Sequence, residues 1–280
     1  RSLYIKGQNT IPSDTICYPA KLVHGHIQTI LNHKVDKIFY PCMSYNFDEK
    51  ISDNNYNCPI VAYYPQVIEN NMELANIQWL SCFIGLQDHK VFEKKIYKYL
   101  KDAGFDCTKK AIKEASAIAY EAYHQYKEDL YQQGEKALAY AKENNLKTVI
   151  LCGRPYHIDP EINHGIPQLL NSLDLVVVSE DSLRPQEKLD VNVLNQWTYH
   201  ARMYNAAQVA ADLEDCECVQ LISFGCGIDA ITSDELRDQL RQRNKLYTGI
   251  KIDEIDNLGA VRIRIRSLLA AMEERKHHYE

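Results

Sequence analysis

Short, continuous apolar runs alternate along the chain with longer stretches whose apolar residues recur every three or four positions. The runs Lys37–Tyr40, Pro59–Tyr64, Ile77–Ile84, Lys147–Cys152, Leu175–Ser179, Val219–Phe224 and Tyr247–Ile252 predict strands. Most lack the alternation of a half-solvated strand, and a strand apolar on both faces belongs in a parallel sheet with helices on each side. Helical spacing marks Ala20–Asn32, His89–Ala103, Asn163–Ser172, Trp197–Leu213 and Ser233–Asn244 between them. The repeated order of strand then helix predicts an α/β fold of doubly wound parallel sheets.

From Thr108 to Asn144 the pattern changes to an Ala-, Tyr- and Lys-rich stretch with apolar positions at Ile112, Ala115, Ala119, Ala122, Tyr126 and Leu130. It predicts one long helix, or two broken near Gly134. The expected organisation is an N-terminal cysteine-bearing α/β half over residues 1–107, a connecting helix over 108–146 and a C-terminal α/β half over 147–280. Both halves are expected to be Rossmann-like, with the functional site in the cleft between them. Near the end, Leu258, Val261, Ile265, Leu268 and Met272 step by three and four, so Arg262, Arg264 and Arg266 read as the solvated face of an amphipathic helix.

Composition narrows the function. A net charge of -6 without a basic stripe argues against nucleic acid. No basic-then-apolar leader and no apolar run of membrane-spanning length occurs, so a cytoplasmic protein is expected, and the opening on Arg1 points to a piece of a longer chain. The nine cysteines are more than a cytosolic domain of 280 residues needs, and in a reducing compartment surplus thiol points to metal or redox chemistry.

Four of these thiols stand beside proline or glycine: Cys17 in Cys-Tyr-Pro, Cys42 in Tyr-Pro-Cys, Cys58 in Cys-Pro and Cys226 in Phe-Gly-Cys-Gly. Proline fixes the backbone and removes a competing donor, and glycine lets the main chain approach an inorganic group, so these are candidate ligands of an iron–sulfur cluster. They lack Cys-x-x-Cys clustering, so only the fold can bring them together, and structural zinc would use the same thiols. Cys82 and Cys152 in apolar runs and Cys107 before a helix read as structural, and so do Cys216 and Cys218, whose one-residue separation would suit a metal but is also that of alternate strand residues. Several polar segments follow strands and are expected on one rim: Gly153–His157, Glu180–Ser182 and Gly225–Gly227. There Arg154 is placed either to bind a thioester carbonyl, a CoA phosphate or a cluster sulfur, or to pair with Asp159 or Glu161. His157 and His164 are candidate proton donors, with capping or core roles as the alternative. Lys251, Asp253 and Glu254 read as an ion-paired strand end, and Thr232 with Glu235 as a helix capping box.

The segments Ile11–His26, Phe39-Tyr-Pro-Cys42, Asn57-Cys-Pro-Ile60, Gly153-Arg-Pro-Tyr-His-Ile-Asp-Pro-Glu-Ile-Asn-His-Gly-Ile166, Ser223-Phe-Gly-Cys-Gly-Ile-Asp-Ala230 and Lys251–Glu254 together closely resemble one family across nearly the whole chain. It is the uncharacterised domain of acyl-CoA dehydratase activase-related proteins, related to the cluster-bearing subunits of 2-hydroxyacyl-CoA dehydratases. The resemblance implies a 4Fe-4S cluster, or a larger or double-cubane one, held in an anaerobe's cytoplasm. That cluster would receive low-potential electrons from an ATP-dependent activase domain or protein. In the related dehydratases the electron makes a ketyl radical of a 2-hydroxyacyl-CoA thioester, so a small acyl-CoA is the implied substrate and a lyase or reductase component the implied enzyme. Carried over by motif, Cys17, Cys42 and Cys226 are the implied ligands. Cys58 is a fourth thiol, which departs from the open-iron site of the dehydratases and suits an electron relay or a non-catalytic redox or regulatory module instead. No phosphate-binding glycine loop is found, so ATP hydrolysis is not expected of this chain itself, and self-association stays open.

Overall fold

The computed structural model describes residues 2–74, 76–252 and 258–279. It is a mixed α/β protein whose sheets are all parallel, and it divides into two compact units. The first comprises residues 1–49, 54–128 and 196–198, and the second residues 50–53, 129–195 and 199–280.

In the first unit, α1 (Ser2–Gly7) and α2 (Tyr18–Asn32) precede β1 (Lys37–Phe39) and β2 (Cys42–Tyr45). Then come α3 (Pro59–Asn71), β3 (Gln78–Leu80), β4 (Phe83–Gly85) and α4 (His89–Asp102). β1 pairs in parallel with β3, Ile38 opposite Trp79, and β2 pairs with β4, Cys42 opposite Phe83. The expected strand Ile77–Ile84 is therefore two short strands, and β2 was not anticipated. The expected strand Pro59–Tyr64 is corrected: it is the first half of α3. Ile60, Val61, Ala62, Tyr63 and Tyr64 form an apolar run whose length suits a strand or a buried helix equally. Proline in the first turn, behind a Cys58 N-cap whose sulfur accepts the Val61 N–H, decides for helix. Its buried residues Ala62, Pro65 and Ile68 then recur every third position, and Tyr64 and Ile68 pack in a core with Ala20, Ile27, Ile38 and Met72.

α5 (Lys109–Glu143) is one unbroken helix of 35 residues, and the division between the units falls within it. Gly134 does not break it. A Cβ there would stand 2.2 Å from the Ser182 carbonyl oxygen, so this glycine permits a close approach of backbones.

In the second unit, β5 (Thr148–Cys152), α6 (Pro160–Asn163), α7 (Ile166–Asn171), β6 (Val176–Ser179) and α8 (Thr198–Ala211) lead to β7 (Cys216–Ser223), α9 (Gly227–Gln242), β8 (Tyr247–Ile252) and α10 (Leu258–Tyr279). The sheet order is β6-β5-β7-β8. One side of it packs Val149, Leu151, Val219, Leu221 and Ile250 against α7 and α10. The other packs Ile150, Cys152, Cys216 and Cys218 against α8 and α9. Cys216 and Cys218 are thus alternate core residues of one strand face. The amphipathic pattern ending at Met272 is α10, with Val261, Ile265, Leu268 and Met272 in the core. The capping box expected at Thr232 and Glu235 is corrected. α9 begins earlier, behind a Cys226 N-cap, and Thr232 Oγ1 donates to the Ile228 carbonyl inside the helix at 3.0 Å. Asp253 and Glu254 lie outside the described residues.

Candidate functional site

The candidate thiols fall in both units: Cys17, Cys42 and Cys58 in the first, Cys226 in the second. Three of them share one local geometry. Cys17 is the N-cap of α2, Cys58 of α3 and Cys226 of α9, each with an extended backbone. Proline in the first turn fixes the start of α2 and of α3, since its ring presets helical φ where no N–H is needed. The open amides of a helix start carry partial positive charge, which favours thiolate and any anionic group bound by it. Cys42 differs. It opens β2, donates its N–H to the Cys82 carbonyl at 2.9 Å and is almost fully buried. Burial pushes its thiol up, opposed by the Gln66 amide. Cys82 is a close neighbour, its own thiol raised by burial and then by the charge of Cys42. All nine cysteines are free of disulfides. Among the described residues no group of three or more His, Cys, Asp or Glu side chains is arranged to hold a metal ion. The donors fit a cluster by their chemistry, as thiols, three of them at helix starts, not by a gathered geometry within a unit.

Beside these thiols runs a buried polar chain that the sequence did not disclose. Thr10 Oγ1 donates to the Gly7 carbonyl at 2.8 Å, so its one proton is committed and it must accept from His24 Nδ1 at 2.8 Å. The neutral imidazole then has Nε2 free to accept the Tyr64 hydroxyl proton at 2.8 Å. Burial lowers the His24 pKa, in keeping with a neutral ring. Tyr64 is raised by burial and next by Cys17, and Tyr40 is pushed up to about 12 by burial and next by Cys42, which sets both phenols among the thiols of this unit.

In the second unit, the ends of β5 and β7 meet where the strand order reverses, the customary place for a site in an open parallel sheet. Arg154 follows β5 and is 4% exposed. It pairs with neither Asp159 nor Glu161 but with Asp229, a fully buried carboxylate in the first turn of α9. Four of the five guanidinium N–H groups have an acceptor within reach. Nε donates to the Tyr156 hydroxyl, Nη1 faces Asp229 Oδ1 and His200 Nε2, and Nη2 donates to Asp229 Oδ2 at 2.7 Å and Ser223 Oγ at 3.3 Å. Asp229 also accepts the Ser223 N–H at 2.9 Å, which closes the turn carrying Cys226. Burial alone would raise the Asp229 carboxyl, but hydrogen bonds from His200 and Arg154 hold it far below the usual carboxylate range. The Arg154 charge in turn feels Cys226.

The two candidate histidines differ. His157 is buried in the turn after β5, and its Nδ1 accepts the Arg154 N–H at 2.9 Å. Burial, and then the Arg154 charge, push its pKa down to about 3, so the ring is neutral with its proton on Nε2, which has no partner among the described residues. His164 caps α6 with φ 54°, marking the reversal into α7. Glu180, after β6, accepts the Gly153 N–H at 3.1 Å, and burial raises its pKa to about 7.

Sequence reasoning placed Arg154, His157 and Cys226 on one rim but missed Asp229 and His200. Asp229 stands 75 residues from Arg154, a separation that leaves no local pattern. The one signal was its place in the Gly-Ile-Asp-Ala motif after Cys226.

A family model described as the CoA enzyme activase uncharacterised domain matches residues 1–183, and the chain belongs to this family. No curated protein matches it.

Proposed function

We propose, for a member of this family, that the chain is the redox component of an ATP-dependent CoA enzyme activase system, and that Cys17, Cys42, Cys58 and Cys226 hold a 4Fe-4S cluster. When bound, such a cluster supplies a low-potential one-electron donor. The rest is the work of this chain's residues. The starts of α2, α3 and α9 set open backbone amides beside Cys17, Cys58 and Cys226, which favours an anionic group bound there. Arg154 and Asp229 pin the turn from β7 into α9, so Cys226 is presented by backbone held from within the core. Arg154 is on this reading a positioning residue that adds a fixed positive charge near Cys226, favouring added negative charge there.

The observation that carries the reading is the shared N-cap geometry of three thiols, two of which, Cys17 and Cys58, lie in the segment matched by the activase-related family. Within it, electron relay is favoured over turnover of an acyl-CoA. Four of the five Arg154 N–H groups have acceptors inside their own unit, at Tyr156, Asp229 and Ser223, which leaves little of the fork for a thioester carbonyl or a CoA phosphate. If an acyl-CoA does react here, His157 Nε2–H and His164 are the proton donors on offer, His157 as a neutral imidazole.

Anaerobic purification with iron and acid-labile sulfide analysis tests the proposal. A brown protein with iron and sulfide in equal amounts is expected, and Cys226→Ser should lower both without unfolding the chain. A colourless protein that binds zinc stoichiometrically would replace the reading with a structural zinc site.

A further inference from the structure

β8 is the edge strand of the four-stranded sheet, hydrogen-bonded to β7 alone. α9 covers one face beside it and α10 the other. Along the open edge they leave a trough of about 560 Å³, within the size range of small-molecule sites. Its lining brings together a cation from each of three elements: Arg237 of α9, Lys251 of β8 and Arg264 of α10. Two hydroxyl residues, Thr248 and Ser267, also line it, and among the described residues no carboxylate does. At Gly249 the floor carries no side chain, and a Cβ there would come within 2.9 Å of Ile222 Cδ1 and 3.0 Å of Tyr247 Oη.

The three cations are held but not neutralised alike. Arg237 shares its charge with the exposed Asp234 at 2.8 Å and lies over the Tyr247 ring. Arg264 donates one N–H to the Gly249 carbonyl at 3.0 Å, and Lys251 lies over the Phe224 ring. Neither Lys251 nor Arg264 has a carboxylate partner among the described residues. Cations on an exposed helix usually repel one another into solvent. Here a strand and two helices aim them at one concave strip with donors between them, a pattern that fits several anionic oxygens in a row.

We propose that this trough binds the phosphoryl groups of a phosphorylated small molecule, with Lys251 and Arg264 as the principal contacts. The ligand chemistry is that of a diphosphate, free or carried on a nucleoside. The site shares no residue with the thiols, and its occupancy does not depend on iron.

Titration calorimetry of the full chain at low salt, with inorganic pyrophosphate, ADP and adenosine as separate probes, tests the proposal. Saturable pyrophosphate binding is expected, weakened as salt rises and lowered about tenfold by Lys251→Gln and by Arg264→Gln, each of which removes one charge-assisted contact. Arg262→Gln, on the same helix but off the trough, should bind as wild type. ADP tighter than pyrophosphate would assign a nucleotide, and equal affinities would assign the phosphate chain alone. Because Arg264→Gln also removes a bond to β8, Lys251→Glu serves as a second variant and should abolish binding with the fold intact by circular dichroism. Absence of saturable binding to wild type would overturn the site. So would binding that Lys251→Gln and Lys251→Glu leave unchanged, or that Arg262→Gln weakens equally. None of these outcomes bears on iron content, which decides the cluster reading separately.

Discussion

The Arg154–Asp229 pair is the most exacting contact at the residue scale. A buried ion pair is costly to break because the survivor is left charged and dry, so Arg154→Ala should lose about 3–5 kcal/mol in urea denaturation. Much of that cost is the stranded carboxylate of Asp229, not the net worth of the pair. Adding Asp229→Asn should therefore recover part of the loss, and a coupling energy near zero in the double-mutant cycle would contradict the pairing. Two neighbouring groups give the pH profile its shape. His157 has a folded pKa lowered to about 3 by burial, so its contribution is present above about 6.5 and is lost as pH falls towards 3. Glu180 has a folded pKa raised to about 7 by burial, so its contribution is present below its ordinary value near 4.5 and is lost as pH rises through 7. Each slope is about 1.4 kcal/mol per pH unit, and in the overlap from about 4.5 to 6.5 they oppose and nearly cancel. Glu180→Gln removes one slope. Its stability should rise with pH through that window, with a gain over wild type of at most about 3 kcal/mol at pH 8, read from denaturation midpoints across pH.

At the element scale, α5 sets two effects against each other at Gly134. Alanine would gain about 1 kcal/mol of helix propensity. Its Cβ, however, would meet backbone at Ser182 only 2.2 Å away, and overpacking against an atom that cannot rotate aside typically costs about 1–3 kcal/mol. Gly134→Ala should thus be destabilising, and a stabilised variant would mean that the helix and the turn after β6 do not pack closely. The helix starts make the complementary point. Pro59 supports α3 because it lies in the first turn, whereas proline at Ala62 would remove an interior N–H bond to the Cys58 carbonyl. Ala62→Pro should cost roughly 3 kcal/mol or more, and thermal unfolding would show it.

For the whole molecule, the division into two units gives the cluster proposal its sharpest test. Cys17, Cys42 and Cys58 belong to one unit and Cys226 to the other. If all four hold one cluster, Cys42→Ser and Cys226→Ser should each lower iron per chain to a similar degree, with both variants folded. Full iron in Cys226→Ser would confine the metal to the first unit. Among the described residues no helix is long and apolar enough to cross a membrane.

Much of the second unit was legible from local pattern, because β5 and β7 are buried runs, β6 is a short β-branched run and α8 carries its apolar residues at helical spacing. The first unit was harder. Its strands are three or four residues long, too short for periodicity to register, and α3 imitates a strand until its N-cap is seen. Local chemistry also marked the thiols, since Pro and Gly act on adjacent backbone and leave their trace beside the residue they serve. The partners of Arg154, the tautomer of His24 and the convergence of Arg237, Lys251 and Arg264 had no such trace. Each depends on groups brought together from distant positions, and burial and hydrogen-bond geometry are properties of the folded neighbourhood, which only the tertiary structure decides.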